Sequence, residues 1–145
     1  MMKIFFQAFT AFSLLVTFSN AAWSADDTAE AAVETFLEYY YKGDADSMIG
    51  KFSDQFPDMP TTSSYQLKIT VQQSLDLYGM PTDHAVIENQ EISPKLQMME
   101  IVVHQEKMPT FWSFLVYNNG ECWQVINFFF KDAMLWANER QGQKQ

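Results

Sequence analysis

Residues 109–132, PTFWSFLVYNNGECWQVINFFFKD, decide how this chain is read. Asn119-Gly120 in the middle is the strongest short-range hairpin signal, because both central positions of a tight two-residue turn need positive φ, which Asn and Gly tolerate. The flanking residues are aromatic and β-branched, types that fit a pleated, half-buried surface. Strands are therefore expected over 110–118 and 121–131. A two-residue loop sets Val116 opposite Trp123, Phe114 opposite Val125, and Trp112 opposite Asn127. Side chains alternate with period two, so these six share one face, and Phe129 extends the row.

Upstream, Met108-Pro109 reads as a second two-residue loop. It puts 96–107 in a neighbouring strand, with Val103 and Ile101 opposite Phe114 and Val116, and 84–92 forms a further strand. Each large apolar side chain of this face gains roughly 1.5–3 kcal/mol on burial. Leaving the whole face wet would outweigh a typical domain's net stability of about 5–15 kcal/mol, so helices must cover it. The other face carries Glu100, Val102, His104, Ser113, Leu115, Tyr117, Cys122, Gln124, Ile126, Phe128 and Phe130. It is too apolar for a plain solvated surface. Either it associates, or a short closing helix over 132–138, with Met134, Leu135 and Trp136, folds across it.

The covering helices come first in the chain. Asp27-Thr28-Ala29-Glu30 reads as a capping box with Asp27 in the cap position. Ala29, Val33, Phe36, Leu37 and Tyr40 follow at helical spacing, and Gly43 suits the helix end. Glu30, Glu34 and Glu38 line the opposite, solvated face. Asp44 caps a second helix through Phe52, with Ala45, Met48, Ile49 and Phe52 inward. Residues 53–63, with Pro57 and Pro60, read as a loop. Residues 65–78 fit a third helix, while Ile69 and Val71 keep a strand open as the alternative.

Residues 1–25 have the three parts of an export signal: Lys3, an apolar run from Ile4 to Phe18, and small residues at Ser19-Asn20-Ala21. Cleavage is expected after Ala21, with Ser24 the second choice. The run, about 15 residues, is shorter than the roughly 20 that span a bilayer, so no membrane span is expected after cleavage. The compartment is then the periplasm if the source is Gram-negative, and otherwise the protein is secreted. One domain is expected over 26–138, followed by a frayed tail over 139–145.

Composition narrows the function classes. A net charge of -9 repels phosphate backbones, so nucleic-acid binding is disfavoured. A single cysteine, Cys122, excludes an internal disulfide, and a buried strand thiol is the expected environment. His84 and His104 read as exposed strand histidines, since a zinc site needs three ligands at close spacing. The nine methionines are dispersed and read as core filler rather than copper ligands. No metal and no cofactor are expected.

Helices followed by a long-stranded antiparallel sheet ending in Gly120-Glu121-Cys122-Trp123-Gln124-Val125-Ile126-Asn127-Phe128 resemble the nuclear transport factor-like superfamily. Its cystatin-like α+β cone also houses ketosteroid isomerase and scytalone dehydratase. The run from Pro109 to Tyr117, then Cys122-Trp123, then Phe128-Phe129-Phe130-Lys131-Asp132, is similar to small exported, uncharacterised bacterial members of that group. The resemblance implies an α+β fold with N-terminal helices packed on a curved four-stranded antiparallel sheet. The superfamily contains enzymes, carriers and scaffolds, so it licenses no single activity.

A proton-transfer enzyme of this shape needs a buried carboxylate base, and the two best-placed strands put no acid on the inner face. Tyr40, Trp112, Trp123, Asn127 and Phe129 remain as candidate ligand-binding residues, with Asn127 as the polar anchor of an apolar pocket; the alternative is that they fill the core. The expected function is a non-enzymatic exported domain that binds an apolar small molecule or a partner protein, dimerising through its sheet. The alternative is an isomerase, dehydratase or hydrolase that uses the same cone.

Overall fold

The structure is a computed structural model and describes residues 27–143; the expected export segment, residues 1–25, lies outside them. Helix α1 spans Ala29–Tyr41 and is capped by Thr28, whose hydroxyl accepts from the Ala31 amide. The expected cap, Asp27, sits one residue too early for that bond. At the other end Gly43 adopts φ +70°. Its amide donates to Tyr40 O and that of Asp44 to Tyr39 O, the paired bonds that close a helix through a left-handed residue. Asp44 then caps α2 (Ala45–Asp54), accepting from the Ser47 amide at 3.0 Å, and Ala45, Met48, Ile49 and Phe52 are buried as their spacing implies.

The ambiguous third segment is a helix, α3 (Thr61–Tyr78), with Val71, Ser74 and Leu75 on its buried stripe. It begins four residues before the expected 65, immediately after Pro60, whose fixed φ delivers the chain into the first turn. Among the described residues no helix is long and apolar enough to cross a membrane.

Four strands follow: β1 (Pro81–Ser93), β2 (Leu96–Gln105), β3 (Thr110–Asn118) and β4 (Trp123–Asp132), in one antiparallel sheet of order β1-β2-β3-β4. The fold is α+β, as expected. Helix α1 lies against β3 and β4 and touches β1, while α2 and α3 pack on each other and α2 on α1. The core between helices and sheet holds Val33, Phe36, Leu37 and Tyr40 from α1 against Met99, Ile101, Trp112, Phe114 and Val125 from the sheet.

The hairpin signal is genuine but its register is not the expected one. Asn118 pairs with Trp123, leaving a four-residue loop rather than two. Asn119 accounts for the difference: its side-chain oxygen accepts from the amides of both Glu121 and Cys122, at 2.9 and 3.0 Å. Such side-chain capture of backbone donors competes with the tight turn. Cys122 therefore lies in the loop, partly exposed, and not buried on a strand. The β2–β3 register is also displaced from expectation: Ile101 pairs with Trp112 and Val103 with Thr110. Both displacements are even, so they leave face assignments intact.

An odd displacement does not. The β3–β4 ladder shifts between Leu115 and Val116, so Val116 pairs with Val125 while Leu115 pairs with Asn127, and Ile126 is the extra residue of a bulge. Beyond it every β4 side chain changes face. Phe128 and Phe130 turn in and Asn127 and Phe129 turn out. Burial decides the outcome, because the bulge exchanges an amide for an aromatic ring in the apolar interior.

The closing helix α4 runs over Ala133–Gly142, longer than the expected 132–138 and including residues expected to fray. Asp132 caps it, accepting from the amides of Met134 and Leu135. It crosses the outer face of the sheet, with the Trp136 ring stacked on Phe111 at 4.8 Å.

Candidate functional site

The five candidate residues divide between the two faces. Tyr40, Trp112 and Trp123 are in the core, whereas Asn127 and Phe129 are exposed on the opposite side of the sheet. The structure therefore does not assemble the expected pocket, and Asn127 cannot anchor a ligand beside Trp112. The cause is the single extra residue at Ile126.

Inside, the indole of Trp112 is surrounded. Phe130 stacks on it at 4.5 Å, Phe114 and Phe128 lie parallel at 5.8 and 6.0 Å, and Tyr40 meets it edge-on at 4.8 Å. Its polar edge is satisfied too. Nε1 donates to Thr110 Oγ1 at 2.9 Å, Thr110 donates to Gln105 Oε1 at 2.6 Å, and Gln105 Nε2 donates to Gly79 O at 2.8 Å. The Tyr40 hydroxyl bonds Ser74 Oγ at 2.8 Å. Burial pushes the Tyr40 phenol up, against the opposing bonds of Ser74 and Gln105. A network in which each member has a partner ties α1, α3 and the sheet together and fixes one packing. These residues fill the core.

A second cluster, unmarked by any sequence motif, joins α1 to the edge strand. The Tyr41 hydroxyl and His84 Nδ1 share a hydrogen bond, and His84 Nε2 lies 2.9 Å from Glu34 Oε1. His84 was expected to be exposed, yet only 15% of its side chain is; it pairs with Val103 and so faces inward, toward α1. His104, by contrast, is an exposed strand histidine paired with Asp83. Glu34 and Tyr41 are seven residues apart, two helical turns, so they share a side of α1. That spacing was visible in the sequence, but their partner on β1 was not. The glutamate stripe is consequently less bland than it reads: Glu30 accepts from Asn89 and Glu34 engages His84, both on β1. Among the described residues no group of three His, Cys, Asp or Glu could hold a metal ion.

Burial, then the negative charges of Glu34 and Asp83, push the Tyr41 phenol up to about 12 from its ordinary 10. The fold favours the neutral phenol, so the stabilisation is complete below pH 10 and is lost as the pH climbs toward 12. In an alkaline absorbance titration, Tyr41→Phe is expected to remove one late-ionising phenol near pH 12 and make stability fall less steeply above pH 10. A phenol lost from the ordinary transition instead would show that Tyr41 is not shielded.

The outer face of the sheet carries the exposed candidates. Met98, Ser113, Leu115, Asn127, Phe128 and Phe129 line an open, largely apolar concavity of about 200 Å³. Phe129, 53% exposed, also lines a neighbouring polar concavity of about 210 Å³ beneath α4, with Glu100, Lys131 and Arg140. Neither concavity includes Glu34, Tyr41 or His84.

No protein-family model and no curated protein matches the chain. Two solved structures are similar to it. One is a domain of unknown function with a cystatin-like fold from Nostoc punctiforme, 13% identical, with a TM-score of 0.48 over 79% of this chain and 86% of that one. The other is an NTF-2-like protein of unknown function from Silicibacter pomeroyi, 13% identical, with a TM-score of 0.47 over 71% of this chain and 94% of that one. Nothing about activity follows from them.

Proposed function

We propose that this chain is an exported, non-enzymatic domain that works by docking a protein partner, a second copy of itself, on the outer face of its sheet. The observation that carries this reading is the apolar concavity between Leu115 and Phe129. At about 200 Å³ it is smaller than the roughly 300–1,000 Å³ of small-molecule pockets. It has room for one large side chain, which favours a protein over a free apolar ligand. The exposed Phe129 ring stands at its rim, so each copy presents a projection beside a recess, the self-complementary pattern of a two-fold contact. Export, to the periplasm or the medium, rests on the pattern of residues 1–25.

Sedimentation velocity across a concentration series tests the reading. A reversible dimer is expected, and Phe129→Glu, which changes an exposed side chain, is expected to leave only monomer with an unchanged circular dichroism spectrum. A monomeric wild type, or a dimer indifferent to Phe129→Glu, would remove this face from the account.

The second reading is a proton-transfer enzyme, an isomerase, dehydratase or hydrolase. Glu34, His84 and Tyr41 favour it, because a hydroxyl, a base within hydrogen-bond reach and a carboxylate that orients the base are the parts of an activated group. Against it stand the high Tyr41 pKa, which disfavours the phenolate, and the distance in the fold between these residues and the outer-face recess.

A further inference from the structure

We propose that α4 is a strap that competes with the docking partner for the outer face, so that the face is fully presented only when α4 lifts. The inference rests on the docking reading above and adds its regulation.

The occupant of the Phe111 end of the face is this chain's own helix. Its hold is peculiar for an element of this length: none of its residues is buried, and Met134 and Leu135 stand 64% and 53% exposed. What fastens it is a short column and a few surface charges. Trp136 stacks flat on Phe111, and the Arg140 guanidinium lies over the other ring of the column, 5.1 Å from the Trp136 centroid. Arg140 then reaches past the helix to Glu88 on β1 at 3.1 Å and Glu100 on β2 at 3.5 Å, while Lys131 pairs with Glu139. The Arg140–Glu88 pair is exposed on both sides, and such pairs hold weakly.

A second observation shows a cost in the closed state. Glu100 Oε2 is buried and has no hydrogen-bond partner; Arg140 at 3.5 Å neutralises it without bonding it. A desolvated carboxylate oxygen lacking a donor is unfavourable, and lifting α4 returns it to water. The same movement uncovers Phe111, which α4 now buries. Phe111 is paired next to Val102 and Lys131 and lies two residues along β3 from Ser113, so it would extend the apolar floor from Leu115 and Phe129 toward that end of the sheet. Phe129 borders both concavities, which makes the strapped and open halves one continuous surface.

A partner that needs the whole face binds only the fraction of molecules with the strap raised, and its apparent affinity is reduced by that fraction. Loosening the strap removes the reduction. Sedimentation velocity on the full chain therefore compares wild type with Trp136→Ala, which removes the stack, and Glu88→Gln, which removes the exposed anchor of Arg140. Glu91→Gln, on the other face of the same strand, controls for the lost charge. Both strap variants are expected to lower the dimer dissociation constant roughly tenfold, with faster hydrogen exchange confined to 133–142 and no change in Glu91→Gln. An unchanged constant in both, while Phe129→Glu still abolishes the dimer, overturns the strap and leaves the docking face standing. Weaker association in both makes α4 part of the contact surface and also overturns it. Monomers throughout sink the docking reading, and the strap with it.

Discussion

Trp112→Ala is expected to lower the unfolding free energy by about 3–5 kcal/mol, the range for removing a large aromatic from a packed interior. The indole is fully buried among four aromatic rings, and nothing nearby is free to close the space it would leave. Phe114 and Phe128 are held by Phe36 from α1, so they cannot slide into the gap without drawing the helix off the sheet. The substitution also strips Thr110 Oγ1 of the donor it accepts from, and the remaining chain through Gln105 to Gly79 anchors the entry to β1. Trp112→Phe keeps a stacking ring and loses the donor, so its hydrogen-bond cost is about 1 kcal/mol, with the area of the missing ring in addition. Urea unfolding followed by circular dichroism, which does not depend on the altered fluorophore, measures both. A loss below about 1 kcal/mol for Trp112→Ala would mean that the indole borders open space, and would restore the ligand pocket that the fold otherwise fills.

What could be read from the sequence was what is decided locally. Gly43 and Asp44 end one helix and begin the next through bonds to residues within five positions, and the stripe from Val33 to Tyr40 needs only a helical period to be recognised. Even the wrong loop lengths did little harm, because shifts by two or four residues preserve which side chains share a face. The failures came from competition between local and distant terms. Asn119 could either start a tight turn or capture two amides, and the sequence does not say which is cheaper. His84 looks exposed until β1 is laid beside α1, when Glu34 and Tyr41 converge on it. Most consequential was Ile126. A bulge leaves no residue signature when the run around it, Val125 to Phe130, is apolar on either alternation except at Asn127. The interior resolved that ambiguity by rejecting the amide, and the candidate site was divided in the process.

Phe128→Ala and Phe129→Ala, one residue apart, are therefore expected to differ by about 2–4 kcal/mol in stability, and the bulge is the reason. Phe128 is 8% exposed and packs on Phe36 at 5.0 Å and Phe52 at 5.2 Å, joining α1, α2 and β4 at one point. Truncating it opens a hole at the junction of three elements, with a loss of about 3 kcal/mol or more. Phe129, at 53% exposure, touches Phe111 at 6.2 Å and little else of the interior, so its truncation is expected to cost under about 1 kcal/mol. The unbulged alternation demands the reverse order, because it places Phe129 beside Trp112 and Phe128 in water. Denaturation must be followed at protein concentrations below the dimer dissociation constant, since self-association through Phe129 would otherwise add linked stability to the wild type. Under that condition the sign of the difference reports only which ring is inside. If Phe129→Ala proves the costlier change, β4 runs without its extra residue, Asn127 turns inward beneath the helices, and the outer recess loses the aromatic rim on which docking depends.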